Sequence, residues 1–381
     1  MNDGVDRSIR VCGPERIGRI RTLIDRVDGA GHVLITAPED LRWACGFTGS
    51  NGWLLVGADT IRFLTDSRYT DQARIEASQL GLDLDVVVIG PGETFGALVG
   101  RMLAGSTASR GLLFQPSSLT VAQFQGLEKS VVGSLVPVTP QFDLLRRRKD
   151  PWEIDAISRA AAIADRALSH VIPLLTMGLS ERDIRDELEY SMRRFGADGP
   201  SYDTIVATGP VNSAIPHHRP TSTLIEEGHS VVIDVGALVD GYHSDMTRTF
   251  LIGEVDAELR RMYEVTREAQ AAAIKAVKSG VPCRAIDSLC RELIEEHGLT
   301  ESIIHGTGHG VGLAIHEDPY IGRLSGATLE VGDVVTVEPG LYRMGLGGVR
   351  IEDLLVVTQD AHHNLSSLPK DSPCLQSPPM T

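Results

Sequence analysis

Two stretches of this 381-residue chain constrain its fold more than any other feature: SVVIDVGALVDGYHSDMTRTF, beginning at Ser230, and DVVTVEPGLYRMGLGGVRIED, beginning at Asp333. Each is an apolar β-like run closing on a carboxylate, then a reversal containing glycine, then a return run that brings back a second carboxylate. In the first, a turn signal stands at Asp240-Gly241. A hairpin reversing near residues 239 and 240 makes Asp234 and Asp245 cross-strand neighbours, with Cβ atoms roughly 5 Å apart, whereas a one-residue change of register leaves them diagonal. In the second, Gly345 is equidistant from Glu338 and Glu352, so these two face each other across the return. Like charges opposed on strands are destabilising, and when buried they either take up protons or share a cation. One such pair alone reads more readily as a solvated sheet edge. Two pairs beside a histidine loop argue for metal.

The order of elements around these hairpins repeats. Helical patterns in WEIDAISRAAAIADRALSHVI and SERDIRDELEYSMRRFG precede the first, and DAELRRMYEVTREAQAAAIKAVKSG and RAIDSLCRELIEEHG precede the second. Ser180 is the expected N-cap of its helix and Gly196 its end. The expectation is two helix-pair-plus-antiparallel-sheet halves, an internal pseudo-repeat. Before them, from about residue 15 to 140, short β-like runs (HVLIT, WLLVG, IRFLT, DVVVIG, GLLFQ, LVPVT) alternate with helical segments, the pattern of an α/β layer. TDSRY in that region is a strand leading into a helix rather than a serine nucleophile, since no G-x-S-x-G context surrounds it. The charged RRRKDPWE, with Pro151, marks the boundary. An α/β domain over 1–147 is expected, then an α+β domain over 148–381 with a short tail from about 370. The basic run itself reads as a solvated face.

Composition excludes several functions. The 51 acidic against 36 basic residues give a formal charge of −15, which repels phosphate backbones and anionic lipid, so no nucleic acid and no membrane partner is expected. No apolar run reaches the ~20 residues of a bilayer span and the first residues lack a signal-peptide core, which implies a cytoplasmic protein. The five cysteines include no C-x-x-C, so neither a disulfide framework nor a thiolate zinc site is suggested.

Eight of the twelve histidines lie between His217 and His316. His309 stands within GTGHGVGLAIHE, which lacks the spacing of a dinucleotide loop and the lysine of a P-loop. Its flanking glycines would let the backbone approach a metal centre closely while the imidazole coordinates it. His170, His229, His297, His362 and His363 read as packing or surface residues.

Together TGPVNSAIPHHRP, VVIDVGALVDGYHSDMTRTF, HGTGHGVGLAIHEDP and VEPGLYRMGLGGVRIED resemble, in order, the metal-dependent pita-bread peptidases, which include Xaa-Pro aminopeptidases and Xaa-Pro dipeptidases (prolidases). EDLRWACGFTGSNGWLLV and FLTDSRYTDQA are similar to that family's creatinase/prolidase-type amino-terminal domain. The resemblance implies a pita-bread catalytic domain with pseudo-twofold halves and five metal ligands: Asp234 on one ion, His309 and Glu338 on the other, Asp245 and Glu352 bridging. Such a hard, oxygen-rich set suits two Mn²⁺ ions, with Co²⁺, Fe²⁺ and Zn²⁺ as alternatives. It further implies hydrolysis of the bond before proline by a metal-bridging hydroxide, with Glu338 as proton acceptor. His217 and His316 match histidines that contact the substrate carbonyl or the tetrahedral intermediate. His305 matches a pocket position and Arg350 an arginine supporting the site; His243 matches no ligand. Proline-containing peptides are the implied substrates and a homodimer the implied assembly. Alternatives on the same fold are a hydrolase of a small amide, of the ectoine or creatine type, and a non-catalytic binding module. Departures from the family pattern are Trp43, in place of a frequent tyrosine, His218, in place of a small residue, and the final DSPCLQSPPMT.

Overall fold

The computed structural model describes residues 12–104, 111–138, 140–371 and 373–376. They form two compact units, Met1–Arg146 and Arg147–Thr381.

The first unit is the expected α/β layer. Its six-stranded sheet runs in the order Asp85–Val88, Ile61–Thr65, Gly52–Gly57, Ala30–Ile35, Gly111–Phe114, Leu135–Pro137. The hairpin pairings in the middle are antiparallel, and the pairings that flank them are parallel. Leu34, Leu55, Leu64 and Leu112 pack against Leu98 and Val99 of helix Phe95–Leu103 and Leu127 of helix Val121–Ser130. TDSRY does lead from strand Ile61–Thr65 into helix Thr70–Gln79.

In the second unit the repeat is visible as two separate cores. Helices Pro151–Val171 and Glu181–Arg194 place Ala160, Ala164, Leu168, Ile184 and Leu188, at helical spacing, against Val206, Val231, Ile233 and Phe250 of one sheet. Helices Ala257–Ala276 and Cys283–Glu296 place Met262, Ala269, Ile286 and Ile294 against Val335, Val337 and Leu355 of the other. Ser180 caps the second helix by accepting from the Asp183 amide, and Gly196 follows its end at φ 107°. The first sheet has the order Cys374–Leu375, Thr247–Ile252, Ser230–Asp234, Ile205–Thr208. The second has Glu317–Ile321, Gly308–Gly310, Val334–Val337, Asp353–Val357, His362–Asn364. Beyond residue 370, Cys374–Leu375 adds a parallel strand to Thr247–Ile252.

The basic run departs from the expected solvated face. Arg146 meets Asp40 at 2.5 Å within the first unit, and within the second Arg147 meets Asp333 at 2.6 Å and Lys149 meets Glu317 at 2.5 Å. All three cations are buried. The carboxylates that face them are distant in sequence, so a local charge run gives no sign of burial.

Candidate metal centre

The two hairpins deliver their carboxylates in different registers. Val337 pairs with Asp353 and Gly340 with Arg350, the same register on both sides of an interruption at Glu338 and Glu352, so those two face each other as expected. Their amides leave the local ladder, Glu338 donating to the Thr307 carbonyl at 2.8 Å and Glu352 to that of Thr247 at 3.1 Å. The first hairpin corrects the expectation. Asp240 and Gly241 both have positive φ, 50° and 74°, and form the two-residue reversal between Val239 and Tyr242. The register places Asp234 opposite Thr247, not Asp245. Because the shift is by two residues, Asp245 keeps its face of the strand and lies diagonal to Asp234. One phenol closes the gap: the Tyr202 hydroxyl lies within hydrogen-bonding reach of both Asp234 and Asp245.

His309 occupies the middle of strand Gly308–Gly310. Its Nδ1 lies 3.0 Å from the Gly310 carbonyl, which fixes the proton there and turns Nε2 toward the carboxylates, 3.5 Å from Asp245 and 3.4 Å from Glu338. The flanking glycines also have a packing reason. A Cβ on Gly308 would stand 2.1 Å from the Thr336 carbonyl oxygen, and one on Gly310 2.4 Å from that of Asp318, so glycine lets neighbouring backbone close around His309.

Asp245, His309 and Glu352, all buried, bring one ligand atom each within 4.8 Å of one another. Burial, then Asp234 and Glu338, raises the Asp245 carboxyl well above the ordinary carboxylate range. Burial, then Asp245, Glu338 and Asp234, does the same to Glu352. Glu352 Oε2 accepts from the Thr247 hydroxyl at 2.7 Å, but its Oε1 is buried with no hydrogen-bond partner among the described residues. An orphaned carboxylate oxygen among like charges, with an imidazole nitrogen turned toward the same cluster, fits a divalent cation.

Arg350 is buried beside this cluster. Its guanidinium donates to Asp234 at 2.6 Å, the Tyr342 hydroxyl at 2.7 Å, the Thr247 hydroxyl at 3.1 Å and the Pro216 carbonyl at 3.3 Å. Burial opposes its charge, but Tyr342, Asp234 and Glu338 keep it protonated. The Tyr342 hydroxyl also meets His305 Nε2 at 2.9 Å, linking His305 to Asp234 through two side chains. Burial pushes the Tyr342 phenol up to about 12 and holds His305 below the usual imidazole range. His316 stacks edge-on to His309 with ring centres 4.4 Å apart, and burial followed by His309 favours its neutral form.

All nine residues expected from the sequence, Asp234, Asp245, His309, Glu338, Glu352, His217, His305, His316 and Arg350, line one cavity of about 1040 Å³. That is the upper end of the usual range for ligand sites. His243 lies outside the cluster as a brace, its Nδ1 2.8 Å from the Ser201 hydroxyl and its amide donating to the Gly312 carbonyl. Two central residues, Tyr202 and Tyr342, escape sequence reasoning. Tyr202 follows Ser201 in a loop with no periodicity. Tyr342 alternates with Gly340 on its strand, and that spacing is the one cue that places it near Arg350.

Comparison with known proteins matches residues 155–359 to metallopeptidase family M24 and residues 16–148 to the creatinase/prolidase N-terminal domain. An uncharacterized peptidase, YqhT, of Bacillus subtilis is 36% identical over 93% of this chain and 99% of its own length. An Xaa-Pro dipeptidase of Pyrococcus furiosus is 41% identical over 64% of this chain and 70% of its own. Among solved structures, an Xaa-Pro dipeptidase from Bacillus anthracis superposes with a TM-score of 0.90 at 35% identity, covering 95% of this chain and all of the other. An X-Pro aminopeptidase from Thermotoga maritima gives 0.83 at 32%, covering 93% and all of the other. Among the described residues no helix is long and apolar enough to cross a membrane.

Proposed function

The chain belongs to metallopeptidase family M24, and on that premise we propose that it hydrolyses the peptide bond preceding proline, with Asp234, Asp245, His309, Glu338 and Glu352 holding two divalent cations. The observation that carries this reading is the orphaned Oε1 of Glu352 in a buried cluster with Asp245 and His309. Four carboxylates and one imidazole favour a hard ion of the manganese kind. When bound, the cations supply Lewis acidity, which activates water at neutral pH and polarises the scissile carbonyl.

The chain's own residues do the rest. Glu338, on the cavity wall beside His309, accepts the proton of the attacking water and returns it to the departing nitrogen. That return matters for a prolyl bond, whose tertiary nitrogen carries no proton of its own. His217 and His316 donate to the carbonyl oxygen as negative charge develops on it. Arg350 fixes the orientation of Asp234, its own guanidinium being held by the Tyr342 and Thr247 hydroxyls and the Pro216 carbonyl. The named activities of the similar proteins, dipeptidase and aminopeptidase, support a substrate with proline after the scissile bond.

Purified protein supplied with Mn²⁺ and assayed on Ala-Pro, Ala-Pro-Ala and Ala-Ala-Ala tests the reading. Cleavage confined to the dipeptide identifies a prolidase, and cleavage of Ala-Pro-Ala at its first bond an aminopeptidase. Failure on both proline peptides refutes the proposal. The homodimer implied by the family resemblance belongs to the same reading, and light scattering tests it.

A further inference from the structure

The segment that carries His217 into the cavity is tied down at several points to a single carboxylate outside the metal cluster. Glu181, the first residue of helix Glu181–Arg194, is fully buried. Its Oε1 accepts from the Thr208 amide at 2.8 Å and Asn212 Nδ2 at 3.0 Å. Its Oε2 accepts from His218 Nε2 at 2.9 Å, the Thr221 amide at 2.9 Å and the Thr221 hydroxyl at 2.8 Å. Its own amide donates to the Thr223 carbonyl, and that of Arg182 to the Thr221 carbonyl. Burial favours the neutral carboxyl, but these donors together hold it below the ordinary carboxylate range.

Both neighbours of His217 are thereby held. Pro216 offers its carbonyl to Arg350, and His218 is hydrogen-bonded to Glu181. The His217 ring lines the cavity and makes no hydrogen bond to another described residue, leaving it available to a substrate. An aimed donor needs its backbone fixed, because a displacement of about 1 Å costs on the order of 100-fold in rate.

We propose that Glu181 and His218 are positioning residues that hold the segment 208–221 so that the His217 ring meets the substrate carbonyl. The proposal rests on the role assigned to His217 in the proposed function. It also gives a purpose to His218, whose ring fills a position where the family resemblance leads one to expect a small side chain. Both Glu181 oxygens face donors only, so glutamine must turn its own N–H groups against one set of them and cannot substitute. At position 218, glutamine can still present an N–H to Glu181, whereas leucine cannot.

The test uses the full-length chain with Mn²⁺, comparing His218→Gln, His218→Leu and Glu181→Gln, each also combined with His217→Ala, on an Xaa-Pro peptide. His218→Leu and Glu181→Gln are expected to lower kcat about 10- to 100-fold with KM changed less than about threefold. His218→Gln is expected to stay within about threefold of the parent. In the His217→Ala background the losses should shrink to about twofold, since the tether acts through that ring. Mn²⁺ affinity, read by calorimetry, should remain within about twofold throughout. Losses that are fully additive with His217→Ala, or equal losses for His218→Gln and His218→Leu, would overturn the proposal. Amide hydrogen exchange gives a readout independent of activity. Segment 208–221 should exchange more than about tenfold faster in His218→Leu and Glu181→Gln, with 334–357 unchanged. If the parent cleaves no proline peptide, the proposed function fails, and exchange alone then decides the tether: unchanged protection of 208–221 overturns it.

Discussion

Replacing Glu352 by glutamine should stabilise the metal-stripped protein, and increasingly so as pH rises. Below the ordinary glutamate value of 4.5, Glu352 is protonated in both folded and unfolded chains. Above it the unfolded chain releases the proton while the folded chain keeps it, because burial first and then Asp245, Glu338 and Asp234 raise the carboxyl. The unfolded state then binds fewer protons than the folded one. Wild-type stability therefore falls by up to about 1.4 kcal/mol per pH unit until pH passes the folded value. Glutamine carries no such cost, and its carbonyl oxygen can still accept from the Thr247 hydroxyl. His305 and His316, held below their usual value in the fold, add stability as pH rises toward 6.5, but they are common to both proteins and cancel in the difference. Urea unfolding of chelator-treated proteins from pH 4.5 to 8 measures that difference. The variant should gain on wild type by up to about 1.4 kcal/mol per unit, starting above pH 4.5. Mn²⁺ at a hundred times its wild-type Kd should add about 2.7 kcal/mol to wild type and less to the variant, cutting the variant's advantage by up to that amount. A difference that is flat with pH, or that favours metal-free wild type throughout, would be incompatible with a Glu352 carboxyl that the fold keeps protonated.

Tyr202→Phe removes the hydroxyl shared by Asp234 and Asp245 and should weaken Mn²⁺ binding about 10- to 100-fold by calorimetry. His316→Ala should lower kcat about 100- to 1000-fold while leaving metal content unchanged, as expected of a donor that acts on developing charge. Arg350→Lys cannot satisfy Asp234, Tyr342, Thr247 and Pro216 together, so kcat/KM should fall at least about 100-fold although the charge is kept. Arg147→Ala leaves Asp333 buried without its guanidinium and should cost about 3–5 kcal/mol in urea unfolding, with kcat of the folded fraction unchanged.

Much of this site is legible from the sequence because strands carry a strict period. Glu338 and Glu352 could be paired by counting outward from Gly345, and the ladders on either side keep that register. The same counting put the centre of the first hairpin one residue too early, since the two-residue turn uses Asp240 and Gly241 as its central pair. Each residue of displacement at the turn moves the opposite partner by two, so Asp234 meets Thr247. Side chains that reach the centre from irregular backbone leave no such trace. Tyr202 is in a loop, Glu181 is the first residue of a helix whose amphipathic pattern explains only its apolar positions, and the burial of Arg147 depends on Asp333 across the unit.

The metal stoichiometry of the purified chain decides whether Asp234, Asp245, His309, Glu338 and Glu352 hold two ions. Calorimetric titration of chelator-stripped protein with Mn²⁺, with Ala-Pro and Ala-Pro-Ala hydrolysis followed in the same samples, should show two ions per chain and activity that rises with occupancy. Asp245→Ala should abolish both. Protein that binds no Mn²⁺, or that hydrolyses a proline peptide at full rate after stripping, would contradict that assignment.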